Sequence, residues 1–372
     1  MKIKICFLVI TLFIGHGILY GSDKYIFDES GFNFPHDFRG IIHLHSHLSH
    51  DSHGKFEDID KAAAHHNIDF IVMSDHWSES VFKKSRKGFY HNTLFIPGSE
   101  LSKRSGVTLL TIPLPENFKP NSSWQEDAMQ LKKGGAIVFA DHIEWSKNDQ
   151  LEALDGIELT NLHAHILEQS IPRLIVNYVR VLNPFNWNLA FLFKDVDNLK
   201  RWYALEKKNN RIIPAFFGND SHDNYRLFKF FGPKLASYDR TFRLLTTHIW
   251  ANDLSEANVL DALERGQSYF AFEIFGNTTG FHFYIADEKE AYFPGSKIIL
   301  KENLKLIIKA PVGARVDPQK LKMKIIRDGK VYKEADGLIM AEKLTQPGLY
   351  HAEIWNDGKP WIFSNSILIE QR

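Results

Sequence analysis

Between about residues 39 and 275 the chain keeps returning to one figure: a short apolar run, a polar stop, then a helical pattern. "RGIIHLH" reads as a buried strand, and "FEDIDKAAAHHN" as a helix that Asn67 can close at its C-terminus. "IDFIVMSDH", "LFIPGSE", "GVTLLTI", "GGAIVFADH", "LDGIELTN" and "RIIPAFFGNDSH" repeat the figure, mostly with helical stretches between them. Repeated strand–helix units imply an α/β chain with a parallel sheet, and this many predict closure into a (βα) barrel. In such a barrel the strand ends form the active-site face, and most polar residues of interest here stand where an apolar run stops.

The pattern changes after about residue 276. "LKLIIKA", "LKMKIIRDGKVY", "GLYHAEIW" and "PWIFSNSILI" are short strands, with Asp328-Gly329 and Asp357-Gly358 as hairpin signals. The expected organisation is a barrel over residues 23–275 followed by a small all-β sandwich over 276–372. Residues 163–210 interrupt the barrel rhythm with an aromatic-rich helical insertion, which either packs on the barrel or covers one side of its pocket.

Residues 1–22 read as an export signal: basic "MKIK", apolar "ICFLVITLFIGHGILYG", then Gly21 and Ser22. Interrupted by Gly15, His16 and Gly17, the apolar stretch is short for the roughly 20 residues of a membrane span. The expected location is periplasmic or secreted with no stable membrane anchor after cleavage; an uncleaved anchor is the alternative. The one cysteine, Cys6, lies in this segment, so the mature chain has neither disulfides nor thiolate ligands. Any metal has to be held by His, Asp and Glu. Lys+Arg and Asp+Glu both number 45, so no basic excess points to specific nucleic-acid binding.

Eighteen histidines are the compositional oddity, and five of them fall within "IIHLHSHLSHDSHG". Residues i and i+2 of a strand share a face, so His45 and His47 should project together, with His53 just beyond. "SDHW" ends the next strand with Asp75 and His76, "PGSE" another with Glu100, "FADH" with Asp141 and His142, and "GNDSHD" with Asp220 and His222. Any one such strand end is weak evidence. Five in one barrel-like pattern point to a metal site, and imidazole with carboxylate suits Zn, Mn or Fe.

These ordered segments resemble the motifs of the PHP (polymerase and histidinol phosphatase) domain over roughly residues 38–225. The resemblance implies a distorted seven-stranded, TIM-like (βα) barrel carrying two or three divalent metal ions for phosphoester hydrolysis. The later "SYFAFEIFGNTTGFHFYIAD" and "PWIFSNSILI" are similar to exported PHP proteins with an added Ig-like β-sandwich, sometimes grouped with the CehA/McbA metallohydrolases. The resemblance places a first ion on His45, His47, Glu100 and Asp220, a second on Glu100 and His142, and a third on His53, His76 and His222. Many family members carry a further His after the Glu motif. Here that region reads "SGVTLLTIPLP", so the second ion is expected to be held more weakly, to take Asp141 or water in its shell, or to be absent. His43 stands where the family has an acid and is expected to support a ligand, as is Asp75.

The remaining histidines have plainer readings. His65 and His66, late in a helix, are expected to be solvated. His50 and Asp51 lie in the ligand loop but off the expected spacing. Glu158, Asn161, His163 and His165 in "ELTNLHAH" end one more strand, and either bind ligand or substrate or pack a loop.

The expected activity is a metal-dependent phosphoesterase acting on a small phosphate mono- or diester through a metal-bound hydroxide, with His53, His76 and His222 as candidates for proton transfer. Arg104, beside Lys103, and Asn161 are candidate substrate contacts. A carbon-ester or amide metallohydrolase on a related barrel is one alternative. A non-catalytic exported metal- or ligand-binding protein is another, against which eight retained ligand positions weigh.

Overall fold

The computed structural model describes residues 31–371 except 105, 116, 122, 144–145, 147–150, 168–196, 225, 229–230, 235 and 312–315. The expected export signal lies outside the described residues, as does most of the expected insertion at 163–210.

Strand β1 (His36–Leu44) is followed by the helix Phe56–His65, which buries Ile59, Ala62 and Ala63 along one side, and by β2 (Phe70–Met73). After the helix Glu79–Lys84, a hairpin of β3 (Gly88–Tyr90) and β4 (Thr93–Pro97) runs on into β5 (Ser99–Arg104), which folds back as β6 (Val107–Ile112). The helix Trp124–Lys133 starts where Ser123 Oγ accepts the Glu126 N–H, satisfying a donor the helix itself leaves open. It leads to β7 (Ile137–Asp141), β8 (Gly156–Asn161) and the helix Leu162–Leu167. The helix Asp197–Asn209 precedes β9 (Ala215–Ser221), and β10 (Arg226–Phe228) pairs with β11 (Phe231–Lys234). Next come the short helix Tyr238–Thr241, β12 (Leu245–Ala251), the helix Glu256–Arg265 and β13 (Ser268–Phe272). The rest is strand: β14 (His282–Ala286), β15 (Ala291–Tyr292), β16 (Lys297–Ile299), β17 (Lys305–Lys309), β18 (Leu321–Arg327), β19 (Lys330–Asp336), β20 (Ile339–Lys343), β21 (Gly348–Asn356), β22 (Lys359–Ser364) and β23 (Ile367–Glu370).

Pairing is mixed. Strands β7, β8, β9, β1, β2 and β4 lie side by side and parallel. Strands β5, β6 and β7 are antiparallel neighbours, β12 is antiparallel to β1, and β13 to β12. Strand β22 pairs antiparallel with β13, and β21, β18, β19, β23 and β16 extend the same sheet. The result is one closed sheet of seventeen strands, beside a four-stranded sheet of β15, β14, β17 and β20.

This corrects the expected distorted seven-stranded (βα) barrel followed by a small all-β Ig-like sandwich. Strand dominates helix, several neighbours are joined by hairpins instead of helices, and the C-terminal strands are hydrogen-bonded into the same sheet as β1. The physical reason is that strands covered on both faces read as unbroken apolar runs whichever way they pair. "VTLLTI" is buried at every position yet antiparallel to both neighbours. The two Asp-Gly signals do form turns: Asp328 and Gly329 (φ 49° and 76°) join β18 to β19, and Asp357 and Gly358 (φ 52° and 72°) join β21 to β22. Residues 32–372 form one compact unit.

The sheet positions the site. Side chains from β1, β2, β4, β6, β7 and β9, among them Ile42, Val72, Ile96, Leu110, Phe139 and Phe216, pack into one buried cluster. The parallel strands therefore deliver their C-terminal ends to the same side.

Candidate metal centre

A strand carries its register to its last residue, and here that register breaks. Pairing of β1 with both β2 and β9 shifts between Ile42 and Leu44, where His43 takes φ 65°. A bulge of this kind re-aims side chains. The pair sharing the pocket is therefore His43 and His45, both fully buried, and not His45 and His47. Past Leu44 the chain turns: the Ser46 N–H and Oγ both donate to Asp75, and the His47 N–H donates to the Gly54 carbonyl. His47 is left exposed against the Phe56 ring, 5.2 Å between centroids. His53 is exposed as well, its N–H bonded to the His222 carbonyl. Neither joins a ligand-type group among the described residues.

The other strand ends converge. Glu100 is central: its Oε2 lies 3.2 Å from His76 Nδ1, 3.4 Å from His45 Nε2 and 3.5 Å from His43 Nε2, and its Oε1 lies 3.7 Å from His142 Nε2. Asp220 faces it. Asp220 Oδ1 is 3.1 Å from His45 Nε2 and 3.5 Å from His43 Nε2, while Oδ2 is 3.6 Å from both His142 Nε2 and His163 Nδ1. His222 stacks on His45 with 4.1 Å between centroids, and its Nε2 lies 3.4 Å from Asp51 Oδ2. His76 Nε2 is 3.0 Å from that same oxygen.

Ligand-type atoms fall into compact groups: His43, Glu100, Asp141 and His142; His45, Asp51, His76 and His222; His43, His45 and Asp220; and His163, Asp220 and His222. Of the sequence-derived candidates, His45, His76, Glu100, His142, Asp220 and His222 are brought together. His43, expected behind the ligands, is among them. Asp75 does stand behind, accepting from Ser49 Oγ, which in turn lies 3.0 Å from His45 Nδ1. Asn161, expected at the substrate, is buried and committed elsewhere: its Nδ2 donates to both Glu158 oxygens and its Oδ1 accepts the Ala164 N–H. The side chains of Lys103, Arg104 and His165 lie outside the described residues.

Asp141, an alternative ligand for the second ion, does join the centre, as do Asp51, which the strand spacing leaves out, and His163; Glu158, left open between ligand and loop packing, supports them. Glu158 is fully buried; one oxygen lies 2.7 Å from His43 Nδ1 and the other accepts the His142 N–H at 2.9 Å. The signal existed, since an acid inside "GIELT" is as costly to bury as Glu100 inside "PGSEL".

The electrostatics suit cations. Burial, helped by the charge of His222, pushes His45 down to about 4, which leaves its imidazole neutral with a lone pair to give. Burial would also lower His43, but Glu158, Asp220 and Glu100 together raise it well above its ordinary value. Against burial, the surrounding histidines hold Glu100 down to about 2 and Asp220 well below the carboxylate range. Asp141 is driven the other way, far up, by burial and then by the Glu100 charge. A cation beside Asp141 would reverse that push.

His43 Nε2, His45 Nε2, His76 Nδ1, Asp220 Oδ1 and both Asp141 oxygens are buried without a hydrogen-bond partner. Each such atom costs about 1–3 kcal/mol, and a folded chain carries few of them. So many aimed into one pocket fit a bound metal. Three residues of the centre, His43, His142 and Asp220, also sit at positive φ (65°, 47° and 48°), an uncommon backbone state for non-glycine residues that concentrates at functional sites.

No protein-family model matches the chain, and no curated protein does. Among solved structures, one similar chain is an engineered protein with a 1.98 Å crystal structure, at 12% identity and a TM-score of 0.18; the match covers 50% of this chain and 36% of that one. A likeness that slight carries no argument. What stands is the geometry: this chain holds buried His/Asp/Glu groups able to bind metal ions.

Proposed function

We propose that the chain is a metal-dependent phosphoesterase, hydrolysing a small phosphate mono- or diester as an exported metallohydrolase of the PHP kind. The observation that carries the reading is the set of buried imidazole and carboxylate atoms without a hydrogen-bond partner, from His43, His45, His76, Asp141 and Asp220, that converge around Glu100. In this reading two or three divalent ions, Zn, Mn or Fe, would be held by the groups His43, Glu100, Asp141 and His142; His45, Asp51, His76 and His222; and His43, His45 and Asp220. The chemistry supplied at such a centre is polarisation of a phosphoryl oxygen together with a lowered pKa for water.

The chain's own residues do the rest. Glu158 fixes the His43 ring and the His142 backbone, so these donors are set before substrate arrives. Asp75 and Ser49 do the same for His45. His76, more open to solvent than His45, keeps its Nε2 against Asp51 and its Nδ1 against Glu100, which would hold its ring in place as a ligand.

The test is elemental analysis of the purified full chain, with hydrolysis of p-nitrophenyl phosphate and bis(p-nitrophenyl) phosphate assayed with and without chelator. Two or more ions per chain and chelator-sensitive hydrolysis, lost in His45→Ala, support the reading. Absence of bound metal after reconstitution overturns it. Metal without phosphatase activity moves the assignment to carbon-ester or amide hydrolysis.

A further inference from the structure

His65 and His66, at the C-terminal end of the helix Phe56–His65, lie apart from the centre described above. Adjacent helical residues point about 100° apart and do not normally meet. Here His66 is the residue after the helix, with φ −101° and ψ 7°, and its carbonyl accepts from Arg39 Nη1 at 2.7 Å. That departure from the helix brings the two rings to 4.5 Å between centroids at 33°. Asp239, from the short helix Tyr238–Thr241, meets both: its Oδ1 lies 2.5 Å from His65 Nδ1 and 3.1 Å from His66 Nε2. Two imidazoles from one helix end and one carboxylate from another segment thus present three ligand atoms, all within 4.8 Å of one another.

We propose that His65, His66 and Asp239 form a second, solvent-facing site for a divalent transition-metal ion, separate from the buried centre. Two nitrogens and one oxygen suit zinc, nickel or copper, and suit poorly the all-oxygen preference of calcium and magnesium. The His65 side chain is 70% exposed and that of Asp239 51%, so an ion reaches the site directly and completes its shell with water.

The site also has a mechanical consequence. The residue before Asp239 is Tyr238, whose buried hydroxyl donates to the His45 carbonyl at 2.6 Å. A Cβ at Gly54 would fall 1.5 Å from that hydroxyl, so the chain leaves room for it with a glycine. An ion on His65, His66 and Asp239 cross-links the helix end to the segment carrying Tyr238, and so braces the loop behind His45.

The probe is zinc alone, titrated calorimetrically into the full-length chain already reconstituted at its buried centre. The expected result is one further, weaker equivalent in the wild type, lost in both His65→Gln and Asp239→Asn, together with a zinc-dependent rise in unfolding temperature that those variants lack. Both side chains are exposed, so circular dichroism should show the variants folded. Glu100→Gln, aimed at the buried centre, should keep the weak equivalent, which separates failure of this site from failure of the buried one. Equal stoichiometry in the wild type and both variants overturns the proposal, and so does an equivalent that calcium fills as well as zinc.

Discussion

Glu158 shows how much of the centre rests on one supporting side chain. It holds the His43 ring, the His142 backbone and Asn161, and it can do so only because β9 passes it with a glycine: a Cβ on Gly218 would fall 1.6 Å from Glu158 Oε1. Gly218→Ala should push the carboxylate off His43. We expect metal affinity to fall about 10–100-fold, as when an outer partner of a ligand is lost, with a stability loss of about 1–3 kcal/mol from overpacking. Competition with a chromogenic chelator and a thermal melt would check both. A second prediction at this scale sets neighbours against each other. His43→Ala should lower bound metal, whereas His47→Ala, an exposed ring on Phe56, should leave both metal content and melting temperature within error. If His47→Ala strips the metal, the bulge-based assignment fails. These residues also show what the sequence makes legible. The acids and histidines after β2, β4, β7 and β9 are found because polar groups at the end of apolar runs are costly unless used. The partner of His45 is misassigned because period-2 alternation is carried past the end of the strand: β1 stops at Leu44, and the turn after it takes His47 out of the pocket, leaving His43 as the neighbour of His45. Asp51 gives no periodic signal, because it reaches His76 and His222 from a loop.

At the scale of elements, the beginning of β1 is held as tightly as its end. Asp37 Oδ1 lies 2.8 Å from His248 Nδ1 on β12, and Asp37 Oδ2 accepts from Tyr269 Oη on β13. Glu273, just past β13, accepts from Thr246 Oγ1 and Thr278 Oγ1, lies 3.2 Å from His248 Nε2, and pairs with Arg39 at 3.5 Å. Three paired strands are further pinned by this buried polar network. Burial opposes ionisation of Glu273, but His248 and Arg39 outweigh it and bring it down to about 2. Burial would likewise lower His248, and Asp37 with Glu273 raises it instead. The signs give a window. The Glu273 contribution is complete above its ordinary value near 4.5 and is lost as pH falls toward about 2. That of His248 is complete below 6.5 and is lost as pH rises through its raised value. Glu273→Gln should therefore cost on the order of 3 kcal/mol at a pH between these limits, and the gap to wild type should shrink as pH falls toward 3. Urea unfolding at pH 5.5 and 3.5 measures it; a gap independent of pH would remove the network from the account. None of this is legible in the sequence, where His248 and Asp37 have no visible partners. Apolar runs mark strands well, but strand direction depends on which neighbour offers its hydrogen bonds.

For the whole molecule, the decisive joint is between β13 and β22. Phe363 of β22 stacks on Phe270 of β13, 6.3 Å between centroids at 18°, and both pack on Phe217 of β9, one residue before the glycine that admits Glu158. Asn365 closes the same seam, its Oδ1 accepting the Ala215 N–H and its Nδ2 donating to the Ala215 carbonyl. Further along, Glu206 on the helix Asp197–Asn209 sits 2.7 Å from His351 Nε2 on β21, both about 1% exposed, and accepts from Ser366 Oγ. The C-terminal strands are thus part of the wall behind the strands that carry the candidate metal ligands, which is why an appended sandwich is the wrong description. A chain ending at residue 275 should expose the edge of β13 and the Phe270 face, and should collect in the insoluble fraction or lack a cooperative melt. Within the full chain, His351→Ala should cost about 1–3 kcal/mol, because it leaves Glu206 Oε2 buried without its partner. Differential scanning calorimetry of wild type and His351→Ala, with metal analysis of each, reads the coupling directly. One transition that moves as a unit and carries the metal with it is expected. Two transitions, with the metal retained through the first, would mean that the C-terminal strands and the metal centre fold independently after all.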